Sequence, residues 1–137
     1  MNAFNENVIA EFRANGGRVG GTFEGQENLV LITTTGAKSG RRITNPLVFV
    51  PDGERIVLIA SNGGADKHPA WYHNLRANQQ LTVELGTETY TGKAEFITGP
   101  EHDELYERMI ELMPVFAEYR ANTGREIPVI AVTRQSA

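Results

Sequence analysis

Between two apolar, β-rich runs stand only four residues that read as a turn, Val50-Pro51-Asp52-Gly53. A connection that short folds the chain back on itself, because two parallel strands need a crossover of a dozen residues or more. Proline at the second turn position and glycine at the fourth suit a hairpin. The flanking runs, 43–50 (ITNPLVFV) and 55–61 (RIVLIAS), are therefore expected to pair antiparallel. A second hairpin is expected around Gly86, between LTVELG (81–86) and TYTGKAEFI (89–97), which alternate apolar and polar residues. Runs 28–35 (NLVLITTT) and 127–133 (IPVIAVT) add two strands. Helical patterns cover 3–14, a stretch from Pro69, and residues either side of Pro114. Too few helices separate the strands for a doubly wound parallel sheet. The expected fold is α+β, an antiparallel barrel of about six strands with helices packed around it.

A chain of 137 residues is most simply one domain, 1–137. The absence of cysteine removes thiolate catalysis, iron–sulfur clusters and the usual structural zinc sites. A net charge of −4 argues against nucleic acid as a partner. No apolar run approaches a membrane span, and the N-terminus lacks the basic start and apolar core of a secretion signal. These features lead to the expectation of a cytoplasmic protein with no integral membrane segment.

Against that acidic background, TTTGAKSGRRITNP (33–46) gathers Lys38, Arg41 and Arg42 in one glycine turn with no acid among them. A nucleoside-triphosphate P-loop is excluded, because Ala37 and Ile32 stand where its glycines belong. The physics survives the failed pattern. Gly36 and Gly40 allow backbone amides to turn outward, and Lys38, Ser39, Arg41 and Arg42 add donors and charge. Such a concavity suits a phosphate or carboxylate. The alternative is a solvated basic hairpin tip.

A second candidate is ASNGGADKHPAWYHN (60–74), a strand end, two glycines and a helix start. Helix N-termini present free N–H groups to anions. Trp71, Asn74 and Leu75 share one helical face, so Asn74 either hydrogen-bonds a ring system or is a surface amide beside a core tryptophan. His68 and His73 lie about 140° apart on a helix and do not converge on a metal; no metal site is expected. No Gly-x-Ser-x-Gly elbow is present, and Ser39 has only basic neighbours, against nucleophilic catalysis. Two apolar stripes near the C-terminus, Leu105/Met109/Leu112 and Tyr106/Ile110/Met113, are assigned to the core. Beyond Pro114, Phe116 reads as core and Tyr119 as either core or pocket mouth.

In order and at these distances, LITTTGAKSGRRITNPLVFV and IASNGGADKHPAWYHNLRAN resemble the deazaflavin (coenzyme F420)-dependent nitroreductase family. The similarity runs from about Leu29 to Asn78, with weaker agreement beyond. The resemblance implies a split β-barrel related to FMN-binding barrels. It also implies coenzyme F420, an 8-hydroxy-5-deazaflavin with a phosphate and oligoglutamate tail, as cofactor. Lys38, Ser39, Gly40, Arg41 and Arg42 match the family's tail-binding turn. Asn45 and Pro46 match positions beside the ring, and Ala60, Ser61 and Asn62 the strand end at its edge. Lys67, Trp71 and Asn74 match the segment that closes over ring and phosphate.

The activity so implied is hydride transfer from the reduced deazaflavin to a small electron-poor acceptor: a quinone, a nitro-heterocycle or an activated enone. Ser61 and Tyr119 are the candidate donors to the charge that appears on the acceptor. Some relatives carry tyrosines where this chain has Val48 and Phe116, which favours an apolar pocket and a quinone. Phe4, Val8 and Phe12 share a face of the first helix that is free, on this reading, to cover the pocket or make weak peripheral membrane contact. Glu6 and Glu11 oppose strong binding to anionic lipid. Two alternatives remain open: a non-catalytic deazaflavin carrier, and an FMN-dependent reductase on the same barrel.

Overall fold

The computed structural model describes residues 3–16 and 28–135, and the side chains of all of these except residues 3–5. The elements run α1 (Ala3–Ala14), β1 (Leu29–Thr35), β2 (Arg42–Asp52), β3 (Arg55–Ile59), α2 (Ala70–Ala77), β4 (Gln80–Leu85), β5 (Glu88–Ile97), α3 (Gly99–Leu112), α4 (Val115–Ala121) and β6 (Val129–Arg134). The strands close into a barrel in the order β1-β2-β3-β6-β5-β4, with β4 returning to β1. Every neighbouring pair is antiparallel. The expected α+β barrel is therefore the fold.

Side-chain alternation explains why some strands read as continuous apolar runs. One buried cluster draws Val30 and Ile32 from β1, Phe49 from β2, Ile56 and Leu58 from β3, Leu81 and Val83 from β4, Ala94 from β5, and Ile130 and Val132 from β6. Only the interior of a closed barrel brings all six strands together. The intervening residues of β3 and β6, Val57, Ile59, Val129 and Ala131, lie in a second cluster beneath α3 and α4. Strands buried on both faces lose the polar half of their alternation. Strands β4 and β5 keep it, because Thr82, Glu84, Lys93 and Glu95 stay at least partly exposed.

Helix α1 covers β1 from outside. Val8, Ile9 and Phe12 are buried with Leu29 and Leu31, and Arg13 makes a two-pronged ion pair with Glu84 at 2.9 and 2.8 Å. Val8 and Phe12 of the α1 stripe are thus occupied by the barrel rather than free for a pocket or a membrane. The side chain of Phe4 lies outside the described residues. Among those residues no helix is long and apolar enough to cross a membrane.

The first hairpin turns two residues later than its sequence suggests. Asp52 pairs with Arg55, and Gly53 takes a φ of 63° that a left-handed turn residue needs. Pro51 consequently sits in β2, opposite Ile56. Asp52 is held there by Arg55 at 2.6 Å and Arg108 at 3.0 Å, which pull its carboxyl below the usual carboxylate range. The α3 stripes also need one correction. Leu105, Tyr106 and Met109 are buried, whereas Leu112, at the last turn of α3, is 45% exposed.

Two buried polar groups fix the C-terminal half. The Tyr106 hydroxyl donates to the Phe116 carbonyl at 2.7 Å, securing the break at Pro114. His102 lies 2.7 Å from the Ile127 carbonyl through Nε2 and 3.0 Å from the Asp103 carboxylate through Nδ1. Both partners accept, so the ring satisfies them best as an imidazolium. Burial opposes that charge, but the Ile127 carbonyl, Asp103 and Glu126 outweigh it and raise the pKa.

Gly92 marks where the barrel interior has no room. A Cβ placed on it would stand 2.5 Å from Cγ1 of Val132, on the neighbouring strand. Gly92→Ala is expected to cost about 1–3 kcal/mol through overpacking, lowering the thermal midpoint by several degrees. Adding Val132→Ala should recover part of that loss in the same melting experiment.

Candidate functional site

The basic turn is built more tightly than its glycines suggest. The Gly36 amide donates to the Arg41 carbonyl at 2.7 Å, and the Gly40 amide to the Gly36 carbonyl at 2.9 Å. The Arg41 amide donates to Ser39 Oγ, and the Ala37 amide to Asn74 Oδ1 at 2.9 Å. The outward-facing cradle of amides expected here is therefore reduced to Lys38 and Ser39, because turn closure takes the rest. The charge is available where the amides are not. Lys38 and Arg41 are exposed and have no ion-pair partner among the described residues. Arg42 instead reaches sideways, donating to Thr35 at 3.0 Å and Thr82 at 2.7 Å, and so ties β2 across β1 to β4.

Asn74 joins this turn to α2. Its amide oxygen takes the Ala37 N–H, and its Nδ2 donates to Thr34 Oγ1 at 3.1 Å. It is 6% exposed, beside Trp71 and Leu75, so it is not a surface amide. Three positions earlier on the same helix, Trp71 lines a cavity of about 620 Å³. That volume suits a medium-sized organic ligand.

Four segments form the cavity wall. Strand β2 contributes Asn45, Pro46, Leu47 and Val48, and Ile59 closes β3. The following loop gives Ser61, Asn62, Gly63, Lys67, His68 and Pro69, leading into Ala70 and Trp71 of α2. Met113, Phe116 and Tyr119 complete the wall. Seven of the sequence candidates thus meet here: Asn45, Pro46, Ser61, Asn62, Lys67, Trp71 and Tyr119. Ala60 is buried behind the wall, and Lys38, Ser39, Gly40, Arg41, Arg42 and Asn74 form the adjoining turn and its anchor. Phe116 serves the core and the cavity at once. The wall is largely apolar, with Val48, Met113 and Phe116 opposite a polar rim from the loop.

Sequence reasoning missed what shapes that loop. Asn62, Gly63 and Gly64 follow one another with positive φ, and a Cβ on Gly64 would lie 3.1 Å from the Tyr119 Cα. The bare glycine is what allows α4 to press against the loop. Arg125, beyond α4, supplies the fastening. Its guanidinium donates to the carbonyls of Ala60, Ser61 and Ala65 at 3.2, 2.8 and 2.9 Å, and to His68 Nδ1 at 3.0 Å. Burial first, then the charges of Arg125, His73 and Arg76, push the His68 imidazole below the ordinary histidine pKa. The Gly63-Gly64 pair signalled a special loop; nothing in the local pattern signalled Arg125. No group of three or more metal-ligating side chains converges among the described residues.

Comparison with known proteins gives these features a context. A family model described as F420H(2)-dependent quinone reductase matches residues 5–134. An F420H(2)-dependent quinone reductase of Mycobacterium tuberculosis is 32% identical over 92% of this chain and 87% of its own length. A solved F420-H2 dependent reductase is 39% identical with a TM-score of 0.71, over 77% of this chain and 93% of that one. A chain solved as a domain-swapped dimer is 34% identical with a TM-score of 0.74, over 93% and 92%.

Asn74→Ala would strand the Ala37 N–H and the buried Thr34 hydroxyl. The expected cost is about 1–3 kcal/mol of stability by denaturant titration. Anion affinity at the turn should fall with it, measured by calorimetry with an oligoglutamate-bearing ligand. Normal affinity in a folded Asn74→Ala protein would show that the anchor does not shape the turn.

Proposed function

Because this chain belongs to the F420H(2)-dependent quinone reductase family, whose model spans residues 5–134, we propose that it binds reduced coenzyme F420 and uses it to reduce a quinone. The observation that carries this is a juxtaposition. Trp71 lines a cavity of about 620 Å³, and one helical turn further on Asn74 holds the turn that carries Lys38 and Arg41, two exposed cations with no ion-pair partner among the described residues, in a protein whose net charge is −4. A deazaflavin ring matches the first feature, and its phosphate and glutamate tail the second. The donor set fits the cofactor: Lys38, Ser39 and Arg41 for the tail, and Asn45, Pro46, Ser61, Asn62, Lys67 and Trp71 around the ring. Gly40 and Asn74 hold the turn that presents the cations, Ala60 backs the wall, and Arg42 adds charge at the base of the turn.

When bound, the reduced deazaflavin supplies a hydride. The acceptor then carries one negative charge until solvent provides a proton. The protein's work is to hold the two reactants together in one cavity and to aim donors at that charge. Ser61, 7% exposed in the cavity wall, and Tyr119, in the same wall, are the donors we assign. The apolar positions Val48 and Phe116 favour a quinone over a nitro-heterocycle, whose polar group would gain little from them. The active unit on this reading is the single domain 1–137.

One experiment separates the rivals: titrate the protein with F420 and with FMN, then offer a quinone panel to the reduced complex. Quinone-dependent oxidation of reduced F420 is the expected result. F420 binding without turnover would make the protein a carrier, and preferential FMN binding a flavin reductase. Lys38→Ala should weaken F420 binding by about 1–3 kcal/mol, as loss of a charge-assisted contact does. Added salt should weaken the wild type as well. Tyr119→Phe should lower kcat and kcat/KM for a quinone together, by less than about 3 kcal/mol, with cofactor affinity nearly unchanged.

A further inference from the structure

His68 enters the cavity wall with its hydrogen-bonding role already decided. A guanidinium has donors and no acceptor. The 3.0 Å contact between Arg125 NH1 and His68 Nδ1 therefore requires a lone pair on Nδ1. A neutral imidazole with that lone pair carries its proton on Nε2, the far edge of the ring. Nε2 has no partner among the described residues. The ring is held in place as well. It packs on Tyr72 with centroids 4.5 Å apart, and Tyr72 rests edge-on against Phe96 at 5.8 Å. Arg125 is itself immobilised by three loop carbonyls.

We propose that His68, fixed by Arg125 as the Nε2–H tautomer, donates a hydrogen bond to the acceptor oxygen on which negative charge collects. The proposal rests on the quinone-reductase reading. Serine and tyrosine hydroxyls rotate and also accept; an imidazole N–H fixed in this way can only donate. Such a donor needs no reorganisation when charge appears. It gives up no proton: the hydride brings two electrons and one hydrogen to the acceptor, and solvent completes the hydroquinone. Arg125 is a positioning residue that never touches the acceptor. Burial first, and then the charges of Arg125, His73 and Arg76, disfavour the protonated ring, in keeping with the lone pair that the Arg125 contact requires; Lys67 stands beside it in the wall.

Two measurements on the full chain test this. Imidazole nitrogen NMR of the protein without cofactor should show His68 as the Nε2–H tautomer at pH 7 and above. In Arg125→Met it should titrate closer to the free-histidine value of about 6.5. In steady-state assays with reduced F420 and menadione, His68→Phe should lower kcat about tenfold and change F420 affinity less than about twofold. His68→Gln, which keeps a side-chain N–H, should recover part of the loss. An Nδ1–H tautomer or an imidazolium at pH 7 in the wild type would overturn the proposal, even if the variants failed to fold. So would unchanged turnover in His68→Phe, or a loss confined to cofactor affinity. An inactive wild type would overturn the quinone-reductase reading and this proposal together, whereas an active wild type beside an equally active His68→Phe sinks this proposal alone.

Discussion

Arg125 makes four hydrogen bonds to the loop that follows β3, three of them to backbone carbonyls. Those carbonyls belong to Ala60, Ser61 and Ala65, on either side of three consecutive residues with positive φ. Glycine takes left-handed backbone freely, but Asn62, at a φ of 49°, keeps it only when its surroundings over-determine it. The Asn62 side chain adds a bond to the Lys67 carbonyl at 3.1 Å, and Thr123 a bond to Asp66 at 3.0 Å. With the loop so fastened, Ser61, Asn62, Lys67 and His68 face one cavity. A lysine would offer a single flexible point charge here, without the planar fork that reaches several acceptors.

The other half of the site follows a different logic. Its cations are left exposed and unpaired, while the turn that carries them is stiffened from beneath by Asn74 and by its own backbone bonds. Charge that is already paired has little left to give a ligand, and charge on a loose turn must be ordered at binding. Here the ordering is done by neutral groups. Arg42 shows the contrast, since its guanidinium is engaged by two threonines on neighbouring strands.

The legible parts of this molecule were those with a local cause. Short connections fixed antiparallel pairing, and the unbroken apolar runs of β3 and β6 reported burial on two faces. Asn45, Pro46, Ser61, Asn62 and Lys67 could be named because their motifs resemble a known family, not because a local pattern marked them. The hairpin at Gly53 was misplaced because proline marked an obvious turn, whereas glycine's positive φ and the Asp52–Arg55 pair decided its position. Arg125 was invisible for the opposite reason. Its partners lie about sixty residues away in sequence, and an isolated arginine after a helix looks like any solvated charge. Asn74 could be placed on the right face of its helix, but not with its partners, which are two residues of a distant strand end and turn.

Strand β6 sits between β3 and β5, the only neighbours it has. Until it is in place, those two strands present raw edges with a row of unmet backbone groups, and the barrel is an open, curled sheet. Synthesis delivers β6 after the other five strands, which wait in that state until it arrives. The residues that complete the barrel and the arginine that completes the pocket lie within ten positions of each other. Closure of the barrel and fastening of the cavity loop therefore depend on one short segment, 125–134.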